Sequence, residues 1–160
     1  MNHLTANRIT SLRDKRIIVT GASGHLGYFL VKELLFQGLK PTLFIHETST
    51  FWESDLPTIK GDLTQIDLAA QQALHAADIV IHLASYVPKK SNEDNLEKSI
   101  NINILATCNL IKTLRSKTKF LFASTCEVYG KPAAQVITED HPLNPLTYYG
   151  ASKAAAEKII

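Results

Sequence analysis

The 160 residues suffice for one domain with a substantial core, and 45% hydrophobic against 20% charged residues is an ordinary globular balance. A formal net charge of +2 from scattered basic residues argues against a nucleic-acid face, and no apolar run approaches a membrane span. The two cysteines, Cys108 and Cys126, form no CxxC and have no paired histidines nearby, which argues against a metal site or disulfide framework and suits a cytoplasmic location.

In chain order, residues 1–15 read as a flexible lead-in, lacking the apolar stretch of a secretory signal. "RIIVT" (16–20) reads as a buried strand, and "HLGYFLVKELLFQG" as a helix closed by Gly38. "PTLFIH" (41–46) is a second strand, with Pro41 tolerable at its first position, and "PTIKG" a weak third before a helix near 65–76. "DIVIHLA" (78–84) is a strand, 92–115 a long helix, "KFLFAS" (119–124) another strand, and "YYGASKAAAEKII" the start of a last helix. Strands alternating with helices predict an α/β fold: a Rossmann-type, doubly wound parallel sheet of about five strands over 16–160.

Between the first strand and first helix stands "TGASGHLG" (20–27), which holds three of the chain's seven glycines, Gly21, Gly24 and Gly27. The first suits a tight turn, the second lets backbone approach a ligand, and the third lets helix and strand pack closely. Free N–H groups at the helix start, around Ser23, His25 and Leu26, favour a pyrophosphate. The spacing is GxxGxxG rather than the general GxGxxG, so position after a strand carries the inference.

The second strand ends in "FIHE", where an acidic side chain would normally take a ribose diol. The position expected for it falls near Ile45 or His46, with Glu47 one residue late. His46 would suit a 2′-phosphate, so NAD and NADP both stay open.

In "TYYGASK", Tyr149 and Lys153 are four apart and share a helix face, whereas Tyr148 has Ser152 in that position. A tyrosine titrating near 10 is a poor base at neutrality; lowering it by about three units requires roughly 4 kcal/mol of differential stabilisation. A nearby ammonium together with an oxidised nicotinamide ring would favour the phenolate. The apolar strand ending in "FASTCEVYG" (122–130) then reads as a catalytic edge rather than a polar turn.

With these residues the chain resembles the extended short-chain dehydrogenase/reductase family, in particular its NAD-dependent epimerase/dehydratase branch, from about Arg16 to Ile160. The motifs are "TGASGHLG", "GDL" (61–63), "HLAS" (82–85), "NILAT" (103–107), "STCEVYG" (124–130) and "YGASK" (149–153). The resemblance implies that Asp62 and Leu63 hold the adenine end of the cofactor and that Leu83, Ala84 and Ser85 run along the dinucleotide. It implies that Asn103 supports the active-site strand. It makes Thr125 the catalytic hydroxyl, Tyr149 the base, and Lys153 the residue that lowers its pKa and holds cofactor. The implied substrate is a nucleotide sugar, oxidised transiently by hydride transfer.

Cys126 occupies the place of the acidic Asp in the dehydratase pattern, while Glu127 is retained as a second acid/base. Dehydration is therefore disfavoured, and epimerisation or decarboxylation stay open. Members usually run about twice this length, so the chain reads as a truncated cofactor-binding part, with weak cofactor binding and little turnover alone, and a homodimer if the full-length chain exists. The alternatives are an NADP-dependent carbonyl or alcohol reductase of the same superfamily and a non-catalytic nucleotide-binding remnant.

Overall fold

A computed structural model describes residues 11–46, 56–132 and 135–160. Five parallel strands form one sheet in the order β3-β2-β1-β4-β5. They are β1 (Ile17–Thr20), β2 (Thr42–Ile45), β3 (Thr58–Lys60), β4 (Ile79–His82) and β5 (Lys119–Phe122). Helices α1 (His25–Phe36) and α2 (Leu68–Ala76) follow β1 and β3, and α4 (Tyr148–Ile159) closes the chain. Between β4 and β5 runs α3, in which Leu96–Lys98, a π-helical stretch Ser99–Leu105 and Ala106–Thr113 follow one another without a break. This is the expected doubly wound architecture.

Alternate side chains of a strand face opposite sides of the sheet, and β1 supplies both cores. Ile18 joins Phe44, Val80, Leu74 and Leu110 on the side covered by α2 and α3. Ile17 and Val19 join Leu43, Ile45 and Val31 on the side covered by α1. All four residues of β1 are buried, as a central parallel strand requires. Leu12, within the span expected to be a lead-in, packs against the second core. Residues 1–10 of that span lie outside the described residues.

Local signals fix the helix ends. Past α1, Gly38 adopts φ +75°; its N–H reaches the Leu35 carbonyl at 2.9 Å and that of Leu39 the Leu34 carbonyl at 2.9 Å. This double bond satisfies two orphan carbonyls and stops the helix, as the glycine predicts. Asp67 caps α2 by accepting from the Ala70 N–H at 2.8 Å, so α2 starts at Leu68 rather than near 65.

Several expected elements are shorter than their apolar patterns, β5 ending at Phe122 rather than Ser124 among them, and for two the cause is local. Beyond His82 the Leu83 N–H still reaches the Thr20 carbonyl of β1 at 3.2 Å, but the Ala84 N–H goes to the Thr20 hydroxyl at 3.2 Å, which ends the ladder. The helix expected over 92–115 begins at Leu96, where the Asn95 side chain accepts from the Lys98 N–H at 2.9 Å. Asp94 instead faces α4. At the other side of the sheet, β5 pairs only with β4 among the described residues, and Leu121 is 50% exposed.

Candidate active site

In an open parallel sheet, ligands bind beyond the C-terminal ends of the strands, where the connections diverge from the first strand. Here β1 leads to α1 and β2 on one side and is flanked by β4 on the other. A cleft of about 520 Å³ opens at that point. Its walls include Gly21, Ser23 and Gly24 of the first turn, His46 after β2, Asp62 and Leu63 after β3, and Leu83, Ala84 and Ser85 after β4. Nine of the residues singled out as cofactor contacts thus meet in one concavity.

The glycine turn is tight for steric reasons. Gly21 has φ +68°, and a Cβ there would stand 2.5 Å from the Ala84 nitrogen. A Cβ on Gly27 would stand 2.2 Å from the Gly21 carbonyl oxygen, so this glycine lets α1 sit directly on the turn. Gly24 is the N-cap residue of α1 and no side chain caps the helix, which leaves the first-turn N–H groups for an anion. His25 and Leu26 stand exposed in that first turn, outside the cleft wall. A phosphate-bearing dinucleotide fits such a cradle.

His46 Nε2 stands 3.6 Å from Asp62 Oδ2 at the rim. The Asp62 carboxyl is held below its usual range, first by the Thr64 backbone N–H and, with a smaller contribution, by His46. Glu47, the alternative acid, lies outside the described residues. Sequence patterns did not single out Phe44, whose ring lies 3.1 Å from the place a Cβ on Gly61 would take, or Ile102, which lines the cleft from α3. Both are apolar residues whose role depends on which strands and helices become neighbours.

Asn103 is 2% exposed and makes four side-chain hydrogen bonds. Its Oδ1 accepts from Ser85 Oγ at 2.9 Å and from the Tyr86 N–H at 2.8 Å. Its Nδ2 donates to the Tyr86 carbonyl at 3.1 Å and to Ser152 Oγ at 2.9 Å. It therefore ties the loop after β4 to α4. Asn103 belongs to the π-helical stretch, a distortion common at functional sites that no spacing in the sequence announces.

The hydroxyl edge after β5 and α4 lie outside the cleft wall, and Tyr149 meets it through the Ser85 hydroxyl. Thr125 caps the short 3₁₀ turn Cys126–Tyr129. Thr147 caps α4 by accepting from the Gly150 N–H at 2.9 Å, and its hydroxyl donates to Glu127 Oε2 at 2.7 Å. Tyr149 is 7% exposed, and its phenol is raised above its ordinary value, chiefly by burial and next by the Glu127 carboxylate and Cys126. The hydroxyls of Thr125 and Ser85 oppose that rise.

The expectation for Tyr149 joins Lys153 to an oxidised nicotinamide ring, and Lys153 is the part of it that the fold describes. The Lys153 ammonium is itself buried at 2% exposure, lies 3.9 Å from the centroid of the Phe122 ring, and is lowered to about 8 by burial. It makes no leading contribution to Tyr149, whose own desolvation dominates. Tyr149 is a neutral phenol in this state of the protein.

Among the described residues no group of three or more His, Cys, Asp or Glu could hold a metal ion, and no helix is long and apolar enough to cross a membrane.

Residues 17–160 match the NAD dependent epimerase/dehydratase family. The chain is 29% identical over 154 residues to the UDP-glucose 4-epimerase of Mycolicibacterium smegmatis, covering 89% of this chain and 49% of that protein. Among solved structures it is similar to MoeE5 in complex with UDP-glucuronic acid and NAD, with a TM-score of 0.78 and 30% identity over 90% of this chain and 48% of that one. It is also similar to the Bordetella bronchiseptica enzyme WbmG in complex with NAD and UDP, with a TM-score of 0.77 and 28% identity, over 91% of this chain and 48% of that one. The chain spans about half the length, or less, of the curated relatives it matches.

Proposed function

The chain belongs to the NAD-dependent epimerase/dehydratase family, and from that membership we propose that it binds NAD along the C-terminal edge of its sheet and serves hydride transfer to and from a nucleotide sugar. The observation that carries this reading is the cleft that the glycine turn, Asp62 and Ser85 form beyond the strand ends, with Tyr149 beside the Ser85 and Thr125 hydroxyls and Lys153 over the Phe122 ring. Relatives solved with NAD and with UDP or UDP-sugars support the ligand classes.

Bound in oxidised form, NAD supplies a hydride acceptor and a positive ring that favours the Tyr149 phenolate. Tyr149 takes the proton of a sugar hydroxyl, and Thr125 donates a hydrogen bond to the same oxygen and orients it. Lys153 would hold the cofactor and add the second positive charge near the phenol. Desolvation of Tyr149 raises the stabilisation these charges must supply, and the same desolvation strengthens each of them. Glu127, fixed by the Thr147 hydroxyl, is the second acid/base for an epimerising or decarboxylating step.

Cys126 is an exposed thiol where dehydratases carry a carboxylic acid, so dehydration is disfavoured. Release of a 4-keto-6-deoxy sugar from dTDP-glucose would overturn that exclusion. The second reading, an NADP-dependent carbonyl or alcohol reductase, draws on His46 in place of an acid after β2. The Asp62 carboxylate beside His46 weighs against it, because a 2′-phosphate would meet that negative charge.

Calorimetric titration with NAD and NADP in parallel tests the cofactor. Binding of NAD that is lost in Gly21→Val supports the reading, and binding of neither dinucleotide overturns it. For the chemistry, UDP-hexoses are incubated with NAD and the natural protein that carries this chain, with products read by NMR. Tyr149→Phe is expected to abolish turnover while keeping NAD affinity within about threefold.

A further inference from the structure

Lys153 keeps an ammonium at 2% exposure, and its surroundings contain one carboxylate that acts on it, Glu157. Glu157 stands four residues further along α4, on the same face. Its Oε1 accepts a hydrogen bond from Ser124 Oγ, just beyond β5 and next to Thr125. Phe122, two residues before Ser124, carries the Lys153 Nζ over its ring at 3.9 Å. Two side chains of α4, one turn apart, are thus each held by a residue at the end of β5. We propose that Glu157, held by Ser124, is a positioning residue that keeps Lys153 charged and seated on Phe122 at the cofactor edge.

A buried ammonium needs an anion or good hydrogen-bond acceptors to remain charged, and an aromatic face alone compensates only in part. Among the described residues, Glu157 is the carboxylate that acts on Lys153. From β4 comes His82, which is buried and, with a pKa lowered to about 3, stays neutral. On α4 itself Tyr149, one turn before Lys153, is a neutral phenol. Glu127 and Cys126 act on Tyr149. Burial brings Lys153 to about 8 even with Glu157 raising it. Removing the carboxylate lowers it further, so a growing share of the protein at neutral pH would carry an uncharged amine there.

The consequence for cofactor binding rests on the function proposed above, but the titration of Lys153 does not. The test follows the side-chain signals of 13C,15N-lysine-labelled protein against pH, with Lys153 assigned by its loss in Lys153→Arg. Glu157→Gln keeps an acceptor for Ser124 and removes only the charge, so the Lys153 midpoint is expected to fall by roughly half a pH unit or more. Ser124→Ala keeps the charge and loosens its hold, and a smaller fall is expected. NAD affinity of Glu157→Gln should drop several-fold between pH 6.5 and 8, a range over which the wild type changes less.

An unchanged Lys153 midpoint in a folded Glu157→Gln protein overturns the proposal and leaves Glu157 a mere tie between helix and strand. If Glu157→Gln does not fold, Ser124→Ala decides by the same midpoint. Failure of the wild type to bind NAD at any pH would overturn the proposed function while the midpoint shift still stood.

Discussion

The carboxylate of Asp94 reaches Tyr149 from the other side of the site: its Oδ1 accepts the Tyr149 backbone N–H at 3.0 Å, and its Oδ2 that of Tyr148 at 2.7 Å. An acid from the segment before α3 therefore caps α4 at the turn that carries the candidate base. It satisfies two of the N–H groups a helix start leaves open and complements the helix dipole.

Asp94→Ala is expected to cost about 1–2 kcal/mol and to lower the melting temperature by roughly 2–8 °C. Asp94→Asn, which keeps an acceptor, should recover part of the loss. Thermal unfolding followed by circular dichroism checks both, and an unchanged midpoint in the alanine variant would dismiss the cap.

Gly27→Ala is expected to fail more severely than any ordinary surface change. The added Cβ would stand 2.2 Å from the Gly21 carbonyl oxygen and 2.7 Å from the Ala22 Cα, both backbone atoms with no side-chain freedom to yield. Either α1 moves off the turn or the turn itself changes. We expect a loss of about 2–4 kcal/mol together with loss of NAD binding, measured by denaturant unfolding and calorimetry. Wild-type stability in this variant would mean that the close helix–turn contact is wrong.

What could be read in the sequence was local chemistry. Strand–helix alternation, the helix stop at Gly38 and the glycine turn depend on a few neighbouring residues, and all reappear in the fold. The Tyr149–Lys153 spacing places both on α4 for the same reason. The carboxylates of Asp94 and Glu157 were not legible, because their partners lie 55 and 33 residues away and only folding makes them neighbours. The burial that raises the Tyr149 phenol was not legible either: charge spacing is visible in a sequence, but desolvation belongs to the packed structure. The π-helical stretch around Asn103 fits no apolar period, since it answers to hydrogen bonds with the loop after β4.

His82 should make the fold acid-sensitive in a defined window. Its Nδ1 is 2.6 Å from the Thr20 hydroxyl and its Nε2 3.1 Å from that of Thr107. Thr107 Oγ1 donates to the Asn103 carbonyl at 2.7 Å, so it accepts from His82 Nε2–H, and Thr20 donates to Nδ1. A proton added at Nδ1 would leave the Thr20 hydroxyl facing a donor. Burial, and next the Lys153 charge, lower His82 from 6.5 to about 3. The unfolded chain therefore binds more protons between those values, and the stabilisation present above pH 6.5 is lost as pH falls towards 3. His82→Gln is expected to cost about 1–3 kcal/mol at pH 7 and to flatten the slope of stability over that window. Parallel slopes in urea titrations of the two proteins would refute the assignment.

Lys153 should show the same sign in a higher window, with stability given up at neutral pH. Its folded value near 8 lies below the ordinary 10.5, so the unfolded chain again binds more protons between the two, and stability rises as pH climbs through that interval. Below pH 8 the ammonium stays buried and charged at a cost that Phe122 and Glu157 offset only in part. Lys153→Met keeps the chain length of the aliphatic stem and removes the charge. It is expected to stabilise the protein at pH 7 by roughly 1–3 kcal/mol and by progressively less towards pH 10.5, while NAD affinity and turnover fall. A gain in stability coupled to a loss of binding identifies a residue retained for chemistry. Equal destabilisation of Lys153→Met at pH 7 and pH 10 would instead make the ammonium a structural element of α4.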